Sequence, residues 1–205
     1  DGDNLRVALF GGSHSEQWFE AAHQLAKQRG WTLVPILKQG CASQMPGESR
    51  DDFCNEWLPE AYESIADGAF DLIIAVGTRS VATGDAVTDS KREVLKTLTK
   101  PAPVLAIRDL PWFEENPIDC YAAGNDCAWP LFDFISEVDP TKTITIDDVA
   151  WVDMNDLVCP EGICQPVIGK RFVFRDSNHL TKSYVDSIAD AVASRWAVAI
   201  DDLLR

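Results

Sequence analysis

The chain has 205 residues, 46% hydrophobic and 25% charged, the balance of one globular domain with a sizeable core. Its 18 basic and 33 acidic residues give a formal charge of −15, which argues against nucleic acid and anionic membrane surfaces, since both would repel it. No stretch approaches the ~20 apolar residues of a membrane span, and the opening DGDNLRVALF carries no leader pattern, so the sequence reads as an excised domain or a mature form.

Leu5–Phe10 is a continuous apolar run that stops at Gly11-Gly12, the pattern of a buried parallel strand. A helix follows: Trp18, Ala22, Leu25 and Ala26 recur at helical spacing, and Gly30 is a natural stop. Trp31–Leu37 reads as a second strand, and residues 41–55 as a polar loop. Trp57, Leu58, Ala61 and Ile65 mark a helix; Phe70–Val76 is the clearest strand, ending at Gly77; Ala86–Leu98 is expected to be helical; Pro103–Ile107 is another buried strand. Residues 108–165 are irregular and rich in Pro, Asp and aromatic side chains. Val167–Phe174 suggests a short strand pair around Gly169-Lys170. A final helix runs from about Thr181, with an apolar stripe of Val185, Ile188, Val192, Trp196, Ile200 and Leu203. Strands alternating with helices in this way predict a doubly wound, mainly parallel sheet with helices on both faces, a three-layer α/β/α single domain over residues 1–205.

The six cysteines, Cys41, Cys54, Cys120, Cys127, Cys159 and Cys164, fall in three sequence-local pairs without the CxxC spacing of a zinc or redox site. That fits three disulfides and an oxidising compartment. Many pairings are open to six cysteines; local geometry favours Cys41–Cys54, Cys120–Cys127 and Cys159–Cys164.

Gly11-Gly12-Ser13-His14-Ser15 lies where the first strand gives way to the first helix. Ligands of doubly wound sheets bind at that edge, and a helix N-terminus favours the negative charge of an activated serine or an oxyanion. Asp176 and His179 stand three apart just before the last helix, a spacing that sets a carboxylate beside an imidazole. A serine nucleophile needs a base for its proton and an acid group to hold that base. Of the three histidines, His23 lies inside a helix and reads as structural, His14 neighbours the serine, and His179 suits the base. Trp112, Phe113, Trp129, Phe132 and Trp151 offer themselves as a sugar platform, although core packing suits most of them better; Trp112, in a Pro-rich loop, is the candidate.

The order Gly-x-Ser-His-Ser at the first strand and Asp-x-x-His-Leu-Thr before the last helix resembles the SGNH hydrolase superfamily, and within it the extracytoplasmic SGNH domain fused behind acyltransferase-three-type membrane acyltransferases. Gln17-Trp18, Gly40-Cys41, the loop framed by Cys159 and Cys164, and the approach from Lys170 to Asp176 match that subgroup too. The resemblance implies that Ser13 attacks an acyl carbonyl, His179 is general base and then acid, and Asp176 orients it. Backbone N–H groups of Ser13 and Gly40 would form the oxyanion hole. Two positions depart from the family pattern: Gly12 replaces an Asp, and Thr78-Arg79 stand where an Asn follows the Gly of the third block. The side-chain donor for the oxyanion is then the Thr78 hydroxyl or the Arg79 guanidinium, with Thr78 placed in the oxyanion hole, and Gly12, His14, Arg79 and Trp112 are candidate substrate contacts.

The resemblance implies transfer of an acyl group, acetyl foremost, from a fused or separate membrane acyltransferase domain to a cell-envelope glycan or glycolipid hydroxyl. It implies no cofactor or metal, an extracytoplasmic site tethered to the membrane, and an isolated domain that is monomeric. Two alternatives share the residues: a carbohydrate esterase with the same triad, and a catalytically degenerate module that binds glycan or a partner. Nucleotide binding fits poorly, because Gly11-Gly12-Ser13 matches neither the dinucleotide fingerprint nor a phosphate loop.

Overall fold

Five apolar runs pair side by side into one parallel sheet: β1 (Arg6–Gly11), β2 (Thr32–Leu37), β3 (Leu72–Val76), β4 (Val104–Ile107) and β5 (Val149–Val152), in the order β2-β1-β3-β4-β5. Every neighbouring pair is parallel. The computed structural model describes residues 4–82 and 84–205.

The connecting helices cover both faces. α1 (Ser13–Glu16) and α2 (Phe19–Arg29) follow β1, α3 (Asp52–Asp67) follows β2, and α4 (Asp89–Leu98) follows β3. α5 (Pro117–Ala122), α6 (Asn155–Val158) and the long α7 (Lys182–Leu203) complete the chain. Successive strand residues point to opposite faces. Val7, Leu9, Leu72, Ile74, Leu105 and Ile107 accordingly pack with α2 and α7, while Ala8, Phe10, Ile73, Ala75, Val104 and Ala106 pack with α3 and α4. On the expected stripe of α7, Val185, Val192, Trp196 and Ile200 are buried, and Ile188 and Leu203 lie partly buried against the same core. Trp196 meets Trp18 edge-on, with ring centroids 6.4 Å apart.

The structure departs from the sequence reading in four places. The helix α3 begins at Asp52, inside the stretch 41–55 read as loop. The first helix is two pieces, broken at Gln17-Trp18 where Trp18 turns inward to the core. The helix expected from Ala86 starts at Asp89, capped by the Thr88 side chain, because residues 84–86 pair with residues 79–81 in a small hairpin. The irregular region holds β5, a half-buried edge strand reached through Asp148 at φ +59°. Short antiparallel pairs join Val167–Ile168 to Arg171–Phe172, as expected, and Trp129–Pro130 to Ile163–Cys164.

Disulfides join Cys41 to Cys54, Cys120 to Cys127 and Cys159 to Cys164. The first pins the loop after β2 to the first turn of α3. A buried guanidinium does similar work beyond β4. Arg108, 4% exposed, donates to both carboxylate oxygens of Asp85 at 2.9 Å, to Asp153 at 3.0 Å and to the Ser136 carbonyl at 2.7 Å. It anchors the hairpin that begins at Arg79. Among the described residues, no helix is long and apolar enough to cross a membrane.

Candidate active site

Sheet order 2-1-3 places a topological switch point between β1 and β3, where a crevice opens at the carboxyl ends of the strands. The chain leaves β1 there through Gly11, at φ +134°, where a Cβ would stand 2.6 Å from Ser15 Oγ. Gly12 is extended and caps α1 with no side chain, and Ser13 is the first helical residue. Neither the Ser13 nor the Gly40 backbone N–H donates a hydrogen bond among the described residues.

His179 reaches Ser13 from the other end of the sequence. Its loop closes on itself: the Arg175 N–H donates to the His179 carbonyl at 2.9 Å, and Phe174 pairs with Leu180. Asp176 Oδ1 accepts the backbone N–H groups of Asn178 at 3.0 Å and His179 at 2.9 Å, a local turn that sets the two side chains next to each other. His179 Nδ1 lies 2.9 Å from each Asp176 carboxylate oxygen, and Nε2 lies 2.8 Å from Ser13 Oγ. With Nδ1–H donating to Asp176, Nε2 is the acceptor that faces the serine hydroxyl. Gln17 holds the two segments together: its Oε1 accepts the Leu180 N–H at 3.0 Å and its Nε2 donates to the His14 carbonyl at 3.2 Å.

Charge tuning follows from burial and neighbours. Burial pushes the Asp176 carboxyl up, but the hydrogen bonds from the Asn178 backbone and from His179 outweigh it and hold it below the usual carboxylate range. Burial lowers the His179 imidazole, and nearby His14 and Arg175 lower it further against the pull of Asp176. His179 is therefore neutral at pH 7, the state a general base requires.

Two cavities meet at Ser13, which among the described residues is the one side chain lining both. The first, about 310 Å³, holds Gly12, Gly40, Thr78, Arg79, Trp112 and His179 in its wall. The second, about 470 Å³, runs between α1, β2 and the start of α7, past Phe19, Leu37, Arg175 and Leu180. Thr78 is buried and accepts the Asp109 N–H on Oγ1 at 2.8 Å, which leaves its hydroxyl proton free to donate. Arg79 is exposed at the rim.

His14 has a partner that sequence reasoning missed. Its Nδ1 lies 2.7 Å from Asp109 Oδ1, its ring stacks on Trp112 at 5.2 Å, and its centroid is 4.8 Å from that of His179. A second imidazole–carboxylate pair thus stands in the wall of the same cavity. The available signal was position: Asp109 follows β4 as Ser13 follows β1. Trp112 is 45% exposed and Phe132 54%, whereas Phe113 is buried among Trp129, Phe134 and Phe174. His23 lies on the outer face of α2, stacked on Phe19.

Residues 1–194 match the family model described as SGNH domain (fused to AT3 domains). Among solved structures, the chain is similar to the periplasmic domain of a lipopolysaccharide acetyltransferase of Salmonella ser. Paratyphi A. Identity is 12%, the match covers 98% of this chain and 85% of that one, and the TM-score is 0.69. No curated protein matches.

Proposed function

Because the chain belongs to the family of SGNH domains fused to AT3 domains, we propose that it is an extracytoplasmic serine O-acyltransferase that passes an acyl group, acetyl foremost, to a cell-envelope glycan or glycolipid hydroxyl. The observation that carries this reading is the unbroken contact from Asp176 through His179 to Ser13 Oγ at the mouth of a cavity. The similar lipopolysaccharide acetyltransferase domain and the three disulfides support the acyl group and the compartment.

In the first half-reaction, Ser13 Oγ bonds to the acyl carbonyl carbon as its proton moves to His179 Nε2. The oxyanion is received by the free N–H groups of Ser13 and Gly40 and by the Thr78 hydroxyl. His179 then gives the proton to the departing oxygen of the donor, leaving an ester on Ser13. In the second, a sugar hydroxyl attacks that ester, His179 takes its proton, and the proton returns to Ser13 Oγ as the acylated sugar leaves. The donor is supplied by a membrane acyltransferase partner of the AT3 type. The exposed face of Trp112 packs a sugar ring, and His14 Nε2, left as an acceptor by the Asp109 contact, receives a sugar hydroxyl.

The test is reaction with a fluorophosphonate probe read by intact mass, followed by turnover of an aryl acetate with and without a glycan acceptor. A single adduct that is absent in Ser13→Ala and slowed in His179→Ala supports the activated serine. Free acetate as the main product at saturating sugar would replace transfer by hydrolysis. No adduct on the folded wild type would sink both and leave a binding module.

A further inference from the structure

We infer that Lys91 is a positioning residue that clasps together the two walls carrying the oxyanion donors Gly40 and Thr78, an inference that rests on the acyl-transfer reading above. Lys91 lies in the first turn of α4, and its Nζ reaches the floor of the first cavity. There it donates to the Ser43 carbonyl at 2.9 Å, to Ser43 Oγ at 2.8 Å and to the Val76 carbonyl at 3.1 Å. Ser43 Oγ itself donates to the Val76 carbonyl at 3.0 Å. Ser43 belongs to the loop that carries Gly40, and Val76 is the last residue of β3, two before Thr78.

This arrangement is costly. The side chain is 6% exposed, and Nζ makes no ion pair among the described residues. A cation in the first turn also opposes the helix dipole. Desolvation lowers Lys91 to about 8, against the attraction of Asp109 in the loop after β4, with Arg79 in the hairpin after β3 opposing the charge. A leucine in that place would fill the apolar stripe of Val94, Leu95 and Leu98 without those costs. What the lysine adds is a three-way tie across the crevice. The Val76 carbonyl lies where β1 has already turned into α1, so no β1 residue is left to pair with it, and Lys91 and Ser43 supply the missing donors. The loop from Gly40 to Ser43 and the end of β3 thereby hold one spacing, and the buried charge adds a positive pole behind them.

The experiment compares the wild type with Lys91→Met, Lys91→Arg and Ser43→Ala, using p-nitrophenyl acetate turnover and amide hydrogen exchange. In folded Lys91→Met, exchange rises in residues 40–43 and 76–79, and kcat falls about 10²-fold with KM nearly unchanged, the size of loss that a small misplacement of catalytic groups brings. Lys91→Arg keeps a permanent charge, so it restores part of kcat and removes the fall in wild-type kcat as pH rises through about 8. Unchanged exchange in both segments with kcat within roughly twofold of the wild type would overturn the inference. If Lys91→Met does not fold, Ser43→Ala, which removes one acceptor and one donor of the tie, decides by the same two readouts. A wild type without Ser13-dependent turnover would defeat the acyl-transfer reading, and the exchange comparison alone would then decide the clasp.

Discussion

Gly12 and Cys41 approach so closely that no side chain fits between them: a Cβ on Gly12 would stand 2.5 Å from the Cys41 carbonyl oxygen and 2.8 Å from its carbon. The obstacle is backbone, and it is tethered through Cys54 to α3. The glycine at position 12 is thus demanded by a neighbouring loop of this chain. It also leaves the Ser13 N–H with no side chain competing for it.

Gly12→Asp is therefore expected to damage the site. Overpacking of this kind costs about 1–3 kcal/mol, and Ser13 labelling by fluorophosphonate should slow. The cost should shrink when Cys41→Ser and Cys54→Ser release the loop, a non-additivity that urea unfolding of the single and combined variants would reveal. Equal cost with and without the disulfide would show that the tether is not what makes the position narrow.

Asp176→Asn separates turn from chemistry. An amide oxygen can still accept the Asn178 and His179 N–H groups, so the unfolding midpoint should barely move. The carboxylate that fixes the Nδ1–H tautomer is lost, and kcat should drop about 10⁴-fold. Retained turnover would remove Asp176 from the catalytic group.

The pH profile should show its acid limb below the ordinary histidine value of 6.5, because His179 is lowered. The neutral imidazole is the active form, so kcat/KM reaches its plateau at a lower pH than an ordinary histidine would allow and falls as pH drops through the lowered value. The same sign governs stability: the unfolded chain takes the proton more readily, so the His179 contribution is present above 6.5 and lost as pH falls through the folded value. An acid limb at or above 6.5 would overturn the assignment of that limb to His179.

Trp112→Ala and Asp109→Asn probe the acceptor side. Trp112 is 45% exposed, so its loss should leave the fold intact. Each variant should raise KM for a glycan acceptor by about tenfold, the loss of roughly one good contact, and shift product from acylated sugar toward free acid. Unchanged acceptor KM in both would place the sugar elsewhere.

Asp85→Ala leaves the buried Arg108 guanidinium without its bidentate carboxylate partner and should cost about 3–5 kcal/mol by chemical denaturation. Asp153→Ala, at a partner 33% exposed, should cost much less. Similar costs for the two would show that burial does not set the strength of this cluster.

The sheet and its helices were legible because Leu5–Phe10, Phe70–Val76 and Pro103–Ile107 are continuous apolar runs bounded by turn residues. β5 was not, since an edge strand that is only half buried carries a mixed pattern. Ser13, Asp176 and His179 could be named because strand end, helix start and the Asp-x-x-His spacing are local signals. Asp109 could not, because its link to His14 spans 95 positions and is made only by folding. Lys91 reads as part of a charged helix surface, and only its place on the stripe of Val94, Leu95 and Leu98 hinted that it turns inward.

That one serine borders two separate hollows has a pharmacological corollary. A covalent warhead on Ser13 can carry substituents in two directions. One arm would explore the Thr78 and Trp112 side, and the other the side of Phe19 and Leu37, where Glu20, Arg175 and Lys182 offer charged partners. Selectivity against other serine enzymes could then be built from the second arm alone, leaving the electrophile unchanged.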